Sequence, residues 1–199
     1  MVLLIDNFDS FSHILADYFL QLGVRLKIVR NDTLLANIQQ EKYSGLILSP
    51  GPETPEKAGN LMEILAYYHD KIPVLGVCLG HQAIGEFFGA KLIKGANPVH
   101  GKVHQVSKTS DHHLLQGLPK TFEVTRYHSL ILTALPESLV PLLETADGVI
   151  MAMVHQKFPI LGIQYHPEAY LTEFGMEILS NWLDVFVKPG STLADKLTD

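Results

Sequence analysis

The chain is short of cysteine, of positive charge and of long apolar runs, and each shortage removes a class of protein. Its 199 residues include one cysteine, Cys78, so no intrachain disulfide can form and nothing in the composition calls for an oxidising compartment. Lys and Arg number 15 against 21 Asp and Glu, a net charge of −6, and the basic stretch at residues 25–30 is broken by apolar residues at strand spacing. Nucleic acid is therefore not an expected partner, because phosphate contacts need a basic surface. No apolar run approaches the ~18 residues needed to span a bilayer. The opening MVLLID meets Asp6 too early to be a signal-peptide core. No membrane association is expected, and the simplest expectation is a soluble cytoplasmic protein. What the chain does have is an apolar fraction of 47%, enough for the core of one large domain. No repeat, low-complexity tract or linker divides it.

Short apolar runs punctuated by Gly and Pro set the expected order of elements. A strand at residues 2–5 ends in Asp6-Asn7. Ser10 then reads as the N-cap of a helix with Phe11, Ile14, Leu15, Tyr18 and Leu22 on one stripe, stopped by Gly23. Strands are expected at 24–29, 46–48 and 74–77, and helices at 56–68 and 79–88. Strand alternating with helix predicts a parallel sheet with right-handed crossovers, and strands without polar alternation predict cover on both faces. After Lys91 strands at 103–106, 122–125, 149–154 and 160–164 follow one another without long helices, and a last helix at 172–186 carries Phe174, Ile178, Leu179, Trp182, Leu183 and Phe186. The predicted fold is α/β: a mostly parallel central sheet flanked by helices, with a smaller antiparallel or mixed addition. Residues 188–199 read as a polar tail.

A lone cysteine is ordinarily a small buried hydrophobe, but the setting of this one points elsewhere. In Gly76-Val77-Cys78-Leu79-Gly80 the cysteine closes an apolar strand and opens a helix, with glycines at alternate positions. That is the pattern of a nucleophile elbow, whose glycines keep side chains away from the turn and the incoming substrate. The helix that begins after Cys78 aims N–H groups and its positive end at the sulfur, a setting that favours an anion. A thiolate nucleophile needs a base oriented by a third group. Of ten histidines, His166 closes the strand of ILGIQYHPE, where α/β sites assemble. Glu168 lies two residues on, about 7 Å away in an extended chain, and the turn at Pro167 brings its carboxylate toward the imidazole. Taken alone, His166-Pro167-Glu168 reads as an ordinary surface turn; with the elbow it completes a triad. For the oxyanion hole, the N–H of Leu79 is one natural donor. Gly51, the free N–H between Pro50 and Pro52, is the candidate second donor, although Ser49-Pro50-Gly51-Pro52 reads equally as a rigid turn.

These motifs, in this order and spacing, resemble the class I (triad) glutamine amidotransferases. Leu4 to Phe11, His100-Gly101-Lys102 and Arg126-Tyr127-His128-Ser129-Leu130 are further similar to the glutaminase subunits of anthranilate synthase and aminodeoxychorismate synthase. The similarity covers residues 1–187, read as one glutamine amidotransferase domain. The resemblance implies hydrolysis of L-glutamine, with Cys78 attacking the side-chain amide, His166 as base and proton donor, and Glu168 orienting it. It also implies an oxyanion hole at Leu79 and Gly51, and substrate contacts at Gly51, Pro52, Gln82, Ser129 and Leu130. The partner it implies is a chorismate-using synthase subunit (component I), faced by His100-Gly101-Lys102. No cofactor is implied. His100 with His104, and His112 with His113, lack Cys or carboxylate companions at ligand spacing, so no metal is expected. The chain departs from the family pattern at Ala169, commonly Ser; at Glu53, often Gly or Cys; and at Ser12-His13-Ile14, often Thr-x-Asn. The alternative readings are a stand-alone cysteine hydrolase of γ-glutamyl substrates and a catalytically silent regulatory subunit.

Overall fold

Strands buried on both faces need two layers of cover, and the computed structural model, which describes residues 1–96 and 99–188, supplies them with helices. In chain order the elements are β1 (Val2–Asp6), α1 (Phe11–Gln21), β2 (Leu26–Arg30), the single turn α2 (Leu35–Ile38), β3 (Leu46–Leu48), α3 (Leu61–Tyr68), β4 (Val74–Val77), α4 (Leu79–Phe87), β5 (Lys91–Lys94), β6 (Lys102–Lys108), β7 (Thr121–Arg126), β8 (Leu130–Thr133), β9 (Leu139–Thr145), β10 (Ile150–His155), β11 (Ile160–Ile163) and α5 (Gly175–Trp182). The described residues form a nine-stranded sheet ordered β2-β1-β3-β4-β11-β10-β9-β6-β7, and β5 pairs with β8 separately. The strands from β2 to β11 in that order run parallel, and those from β11 onward pair antiparallel. The antiparallel addition is thus a continuation of the same sheet, joined at β11.

Alternation along each parallel strand divides the core between the two faces. Val2, Leu4, Ile47, Leu75 and Ile163 pack with Leu15 and Phe19 of α1 and with Ile178, Leu179 and Trp182 of α5. Leu3, Ile5, Leu46, Leu48 and Val74 pack with Leu61, Ile64 and Leu65 of α3 and with Ala83 and Ile84 of α4. The helix α1 ends as expected: Gly23 takes φ +77°, and the N–H groups of Gly23 and Val24 return to the carbonyls of Leu20 and Phe19.

Several local expectations are corrected. Asp9 rather than Ser10 caps α1: its Oδ1 accepts from the Phe11 N–H at 2.8 Å, while Ser10 is already helical with no side-chain bond. The helix expected over 56–68 is split into a 3-10 turn at Pro55–Lys57 and α3, because Gly59 (φ +57°) and Asn60 dock on the Asn31 carbonyl, with Asn60 N–H to Asn31 O at 2.8 Å. The strand β9 escaped sequence reading because Pro141 lies inside it. Proline cannot donate to a ladder, and it sits here at an irregularity in the β9–β10 register. The helix expected from 172 begins at Gly175, since Thr172 is committed to the turn before it, and it continues into a π-helical turn at Leu183–Val187. Of the tail expected over 188–199, residues from 189 onward lie outside the described residues.

Candidate active site

Parallel strands carry their C-terminal ends to one edge of a sheet, and that edge is where β4 delivers Cys78 and β11 leads to His166. Cys78 turns from strand to helix at φ +51°, a conformation that costs a non-glycine residue about 1–3 kcal/mol. Its own N–H is tied to the Ile163 carbonyl of β11 at 2.8 Å, and its carbonyl accepts the Gln82 N–H at 3.1 Å. The flanking glycines keep the turn uncrowded, as expected. A Cβ on Gly76 would lie 2.4 Å from the Gly80 carbonyl, and one on Gly80 would lie 2.3 Å from the Leu48 carbonyl. Only bare backbone lets α4 start this close to β3 and β4, directly after Cys78.

Beyond β11 the chain passes through Gln164 and Tyr165 to His166. The His166 N–H donates to the Thr125 carbonyl at 3.1 Å, and its carbonyl accepts the Thr172 hydroxyl at 2.7 Å and the Ala169 N–H at 3.2 Å. The ring Nδ1–H donates to Glu168 Oε1 at 2.7 Å in a setting where both residues are buried. The other nitrogen, Nε2, makes no hydrogen bond of ordinary geometry among the described residues, yet Cys78 is near enough to act on the ring. Burial alone would lower the His166 pKa; the interactions with Cys78 and Glu168 outweigh it and hold the imidazole above its ordinary value. Phe11 and Tyr127 wall the ring, with centroids 4.7 and 5.1 Å from it. Cys78 is 6% exposed and His166 1%, so little of either side chain reaches solvent.

The loop after β3 is clamped to the turn after β1. The Asn7 N–H donates to Ser49 Oγ at 3.0 Å, Asn7 Nδ2 donates to the Ser49 carbonyl at 2.8 Å, and the Ser12 hydroxyl donates to Ser49 Oγ at 2.9 Å. Asn31 Nδ2 in turn donates to Asn7 Oδ1 at 3.0 Å. Gly51 is thereby pressed against Leu79, the residue after Cys78: a Cβ there would meet Leu79 Cδ2 and Asn7 Cβ at 2.5 Å. Pro52 is exposed. Glu53 points outward to Lys57 at 3.3 Å and takes φ +62°, a left-handed conformation that favours glycine. Ser12 preserves a hydroxyl inside the clamp, Ile14 faces solvent, and Ala169 is buried in the His166 turn.

Gln82 is buried on α4 and meets Leu130: its Nε2 donates to the Leu130 carbonyl at 3.4 Å and to Gln164 Oε1 at 3.2 Å. Ser129 is exposed beside it. Sequence reasoning assigned no role to Asn7, Phe11, Tyr127, His128, Gln164 or Thr172, all of which shape this edge. For Asn7 the signal was available, a polar residue at the end of a buried strand; for Thr172 and Gln164 nothing local distinguishes them. Some histidines outside the edge have local duties, such as His112 Nδ1 accepting the Leu114 N–H at 3.1 Å. A thiol at a helix start, an imidazole hydrogen-bonded to a carboxylate, and two glycine-containing backbone segments alongside are the kinds of group that acyl transfer from an amide uses.

Comparison with known proteins agrees. The family model described as glutamine amidotransferase class-I matches residues 3–185. Anthranilate synthase component 2 of Azospirillum brasilense is 44% identical over 188 residues, covering 92% of this chain and 95% of that protein. Aminodeoxychorismate synthase component 2 of Klebsiella aerogenes is 42% identical over 187 residues, covering 92% and 100%. Aminodeoxychorismate/anthranilate synthase component 2 of Bacillus subtilis is 38% identical over 191 residues, covering 94% and 98%. Among solved structures, a protein from Thermoplasma acidophilum described as a GMP synthase subunit superposes with a TM-score of 0.82 at 28% identity, over 92% of each chain. A glutamine amidotransferase from Thermotoga maritima superposes with a TM-score of 0.68 at 21% identity, over 92% of this chain and 80% of that one, and shares the fold.

Proposed function

The chain belongs to the class-I glutamine amidotransferases, and from that premise we propose that it is the glutaminase subunit of a chorismate-using synthase, making anthranilate or aminodeoxychorismate with a component 1 partner. Cys78, His166 and Glu168 carry the chemistry in this reading. The Cys78 thiol gives its proton to His166 as its sulfur adds to the side-chain amide carbon of L-glutamine, and the oxyanion that forms is met by the N–H groups of Leu79 and Gly51. His166 gives its proton to the amide nitrogen, the C–N bond breaks, and ammonia leaves a γ-glutamyl thioester on Cys78. His166 then takes a proton from water as the oxygen attacks the thioester, and glutamate departs as the thiol is restored. Glu168 holds the His166 tautomer throughout and stabilises the imidazolium. Ser129, Leu130, Gln82 and Pro52 form the rest of the glutamine site, and residues 1–187 constitute the amidotransferase domain. Among the described residues no helix is long and apolar enough to cross a membrane, and a cytoplasmic site of action fits that.

The observation that carries this reading is the pairing of a cysteine in an elbow at φ +51° with a buried His166–Glu168 hydrogen bond of 2.7 Å. The low exposure of both Cys78 and His166 supports a subunit that opens fully only when its synthase binds. Cys78→Ala, assembled with component 1, is expected to lower glutamine-dependent product by about three orders of magnitude or more and to leave synthesis from added ammonia intact. Glutamine-dependent turnover surviving in that variant would sink the assignment. Full glutaminase activity of the isolated chain would instead favour a stand-alone γ-glutamyl hydrolase.

A further inference from the structure

Arg126 and His128 take no part in the chemistry above, yet they are among the most constrained polar groups in the chain. Arg126 ends β7, is 4% exposed and forms no ion pair among the described residues. Burial weakens its hold on its proton, and Asp147, beyond ion-pair distance, offsets only part of that. A guanidinium buried in this way is costly unless it is used. Its one directional bond among the described residues is from Nε–H to His128 Nε2 at 3.1 Å. His128, 5% exposed, turns its other nitrogen to the Leu130 carbonyl at 2.9 Å. A carbonyl can only accept and Arg126 can only donate, so His128 carries its proton on Nδ1 and is neutral. Burial first, then the charge of Arg126 and the nearby His166 and His104, depress its pKa to about 4, so the ring stays in that form.

The backbone that this ring holds is the proposed glutamine contact. The Leu130 carbonyl is shared by His128 and Gln82, the Ser129 carbonyl accepts the Gly95 N–H at 2.8 Å, and the His128 carbonyl accepts the Val99 N–H at 3.2 Å. Three successive carbonyls are therefore engaged. Among the described residues the Ser129 N–H has no acceptor. The segment therefore offers a ligand an unengaged donor, while each of its carbonyls already holds at least one bond, which suits a carboxylate.

We infer that Arg126 and His128 are positioning residues of the glutamine site: Arg126 fixes the His128 tautomer, and His128 pins the Leu130 carbonyl so that the Ser129 N–H faces the α-carboxylate of glutamine. This rests on the reading of Ser129 and Leu130 as substrate contacts. Two amides of similar polarity separate the two bonds. Asn places its amide near the Nδ1 position, keeping a donor for Leu130 and losing the acceptor for Arg126. Gln places its amide near Nε2 and does the reverse. In the assembled synthase, His128→Gln is expected to raise KM for glutamine about five- to tenfold, the effect of one lost hydrogen bond, with kcat within about twofold. His128→Asn is expected to recover most of that loss. A merely structural role predicts the opposite order, because Asn strands the buried Arg126; KM rising as much in Asn as in Gln, or kcat falling with KM unmoved, would overturn the assignment. A measurement on the unmutated complex guards against variants that fail to fold. Ring-nitrogen NMR should report the Nδ1–H tautomer of His128 from about pH 6 to about pH 8, and finding the Nε2–H tautomer or imidazolium would overturn it. Absence of glutaminase activity in the unmutated complex would remove both this inference and the reading beneath it. Unmutated activity with a KM indifferent to His128→Gln would remove this one alone.

Discussion

The turns that end β4 and β11 lie side by side on adjacent parallel strands, and they are built by opposite means. The β4 turn is chiefly steric: a Cβ on Gly76 would strike Gly80, one on Gly80 would strike Leu48, and Cys78 passes between them at φ +51° with its N–H and carbonyl bonded to Ile163 and Gln82. The β11 turn is polar: His166 is tied at its N–H by Thr125, at its carbonyl by Thr172 and Ala169, and at its ring by Glu168. Close packing fixes position without reference to protonation. Hydrogen bonds fix position and protonation together. The nucleophile in the proposed mechanism needs to be aimed, and the base needs both to be aimed and to hold a proton, so each turn is made of what its side chain requires.

The sharpest way to break this contrast is at Gly80. Alanine is a better helix former than glycine, so on propensity Gly80→Ala would stabilise α4 by up to about 1 kcal/mol. The contact argument predicts the reverse, because the added carbon lands 2.3 Å from a backbone oxygen that cannot swing away. We expect a loss of about 3 kcal/mol in urea unfolding, the same at every pH; a neutral or stabilising result would refute the steric account. Glu168→Gln comes next, at about 2 kcal/mol for a hydrogen bond between charged groups, and its effect should depend on pH. His166 has a folded pKa above its unfolded value of about 6.5. Its contribution is therefore complete below about pH 6.5 and is lost as pH rises through the folded value. The difference in stability between Glu168→Gln and the unmutated chain should accordingly shrink as pH rises from about 6.5 to about 10, and a difference that stays flat would mean that Glu168 only packs.

The same contrast explains what was legible in the sequence. A steric turn is written locally: two glycines around one cysteine, after a strand and before a helix, span five residues. The parallel half was equally open, because its strands are short apolar runs such as Leu46–Leu48 and Val74–Val77. A polar turn is written across the chain. Thr125 lies at the far end of β7, Thr172 six residues beyond His166, and Gly175 against the Pro167 carbonyl, where a Cβ would sit only 1.9 Å away. None of these differs in type from dozens of surface residues. The strand β9 was hidden for a similar reason, since what makes room for Pro141 is the register slip with β10, a property of the partner strand. Gln82 and Leu130, 48 positions apart, came together only through the resemblance; no spacing argument joins them.

The smallest test asks whether backbone strain at this edge is tied to the thiol or is a habit of the whole edge. Three parallel strands are followed within a few residues by a non-glycine residue at positive φ: Phe8 after β1 at 59°, Glu53 after β3 at 62° and Cys78 after β4 at 51°. At Cys78 the strain sets where the sulfur points, so relieving it would cost the site its geometry. At Glu53 the side chain is exposed and its only partner among the described residues is Lys57, an exposed pair worth little. Glycine would remove the left-handed penalty of about 1 kcal/mol while adding back about half of it or more in unfolded-chain entropy. Glu53→Gly should therefore stabilise the chain by no more than about 0.5 kcal/mol and leave kcat for glutamine unchanged, since the clamp on Gly51 runs through Asn7 and Ser49 and not through Glu53. If kcat falls instead, the loop after β3 is aimed by its strained residue as the elbow is, and the two turns are no longer the right pair to contrast.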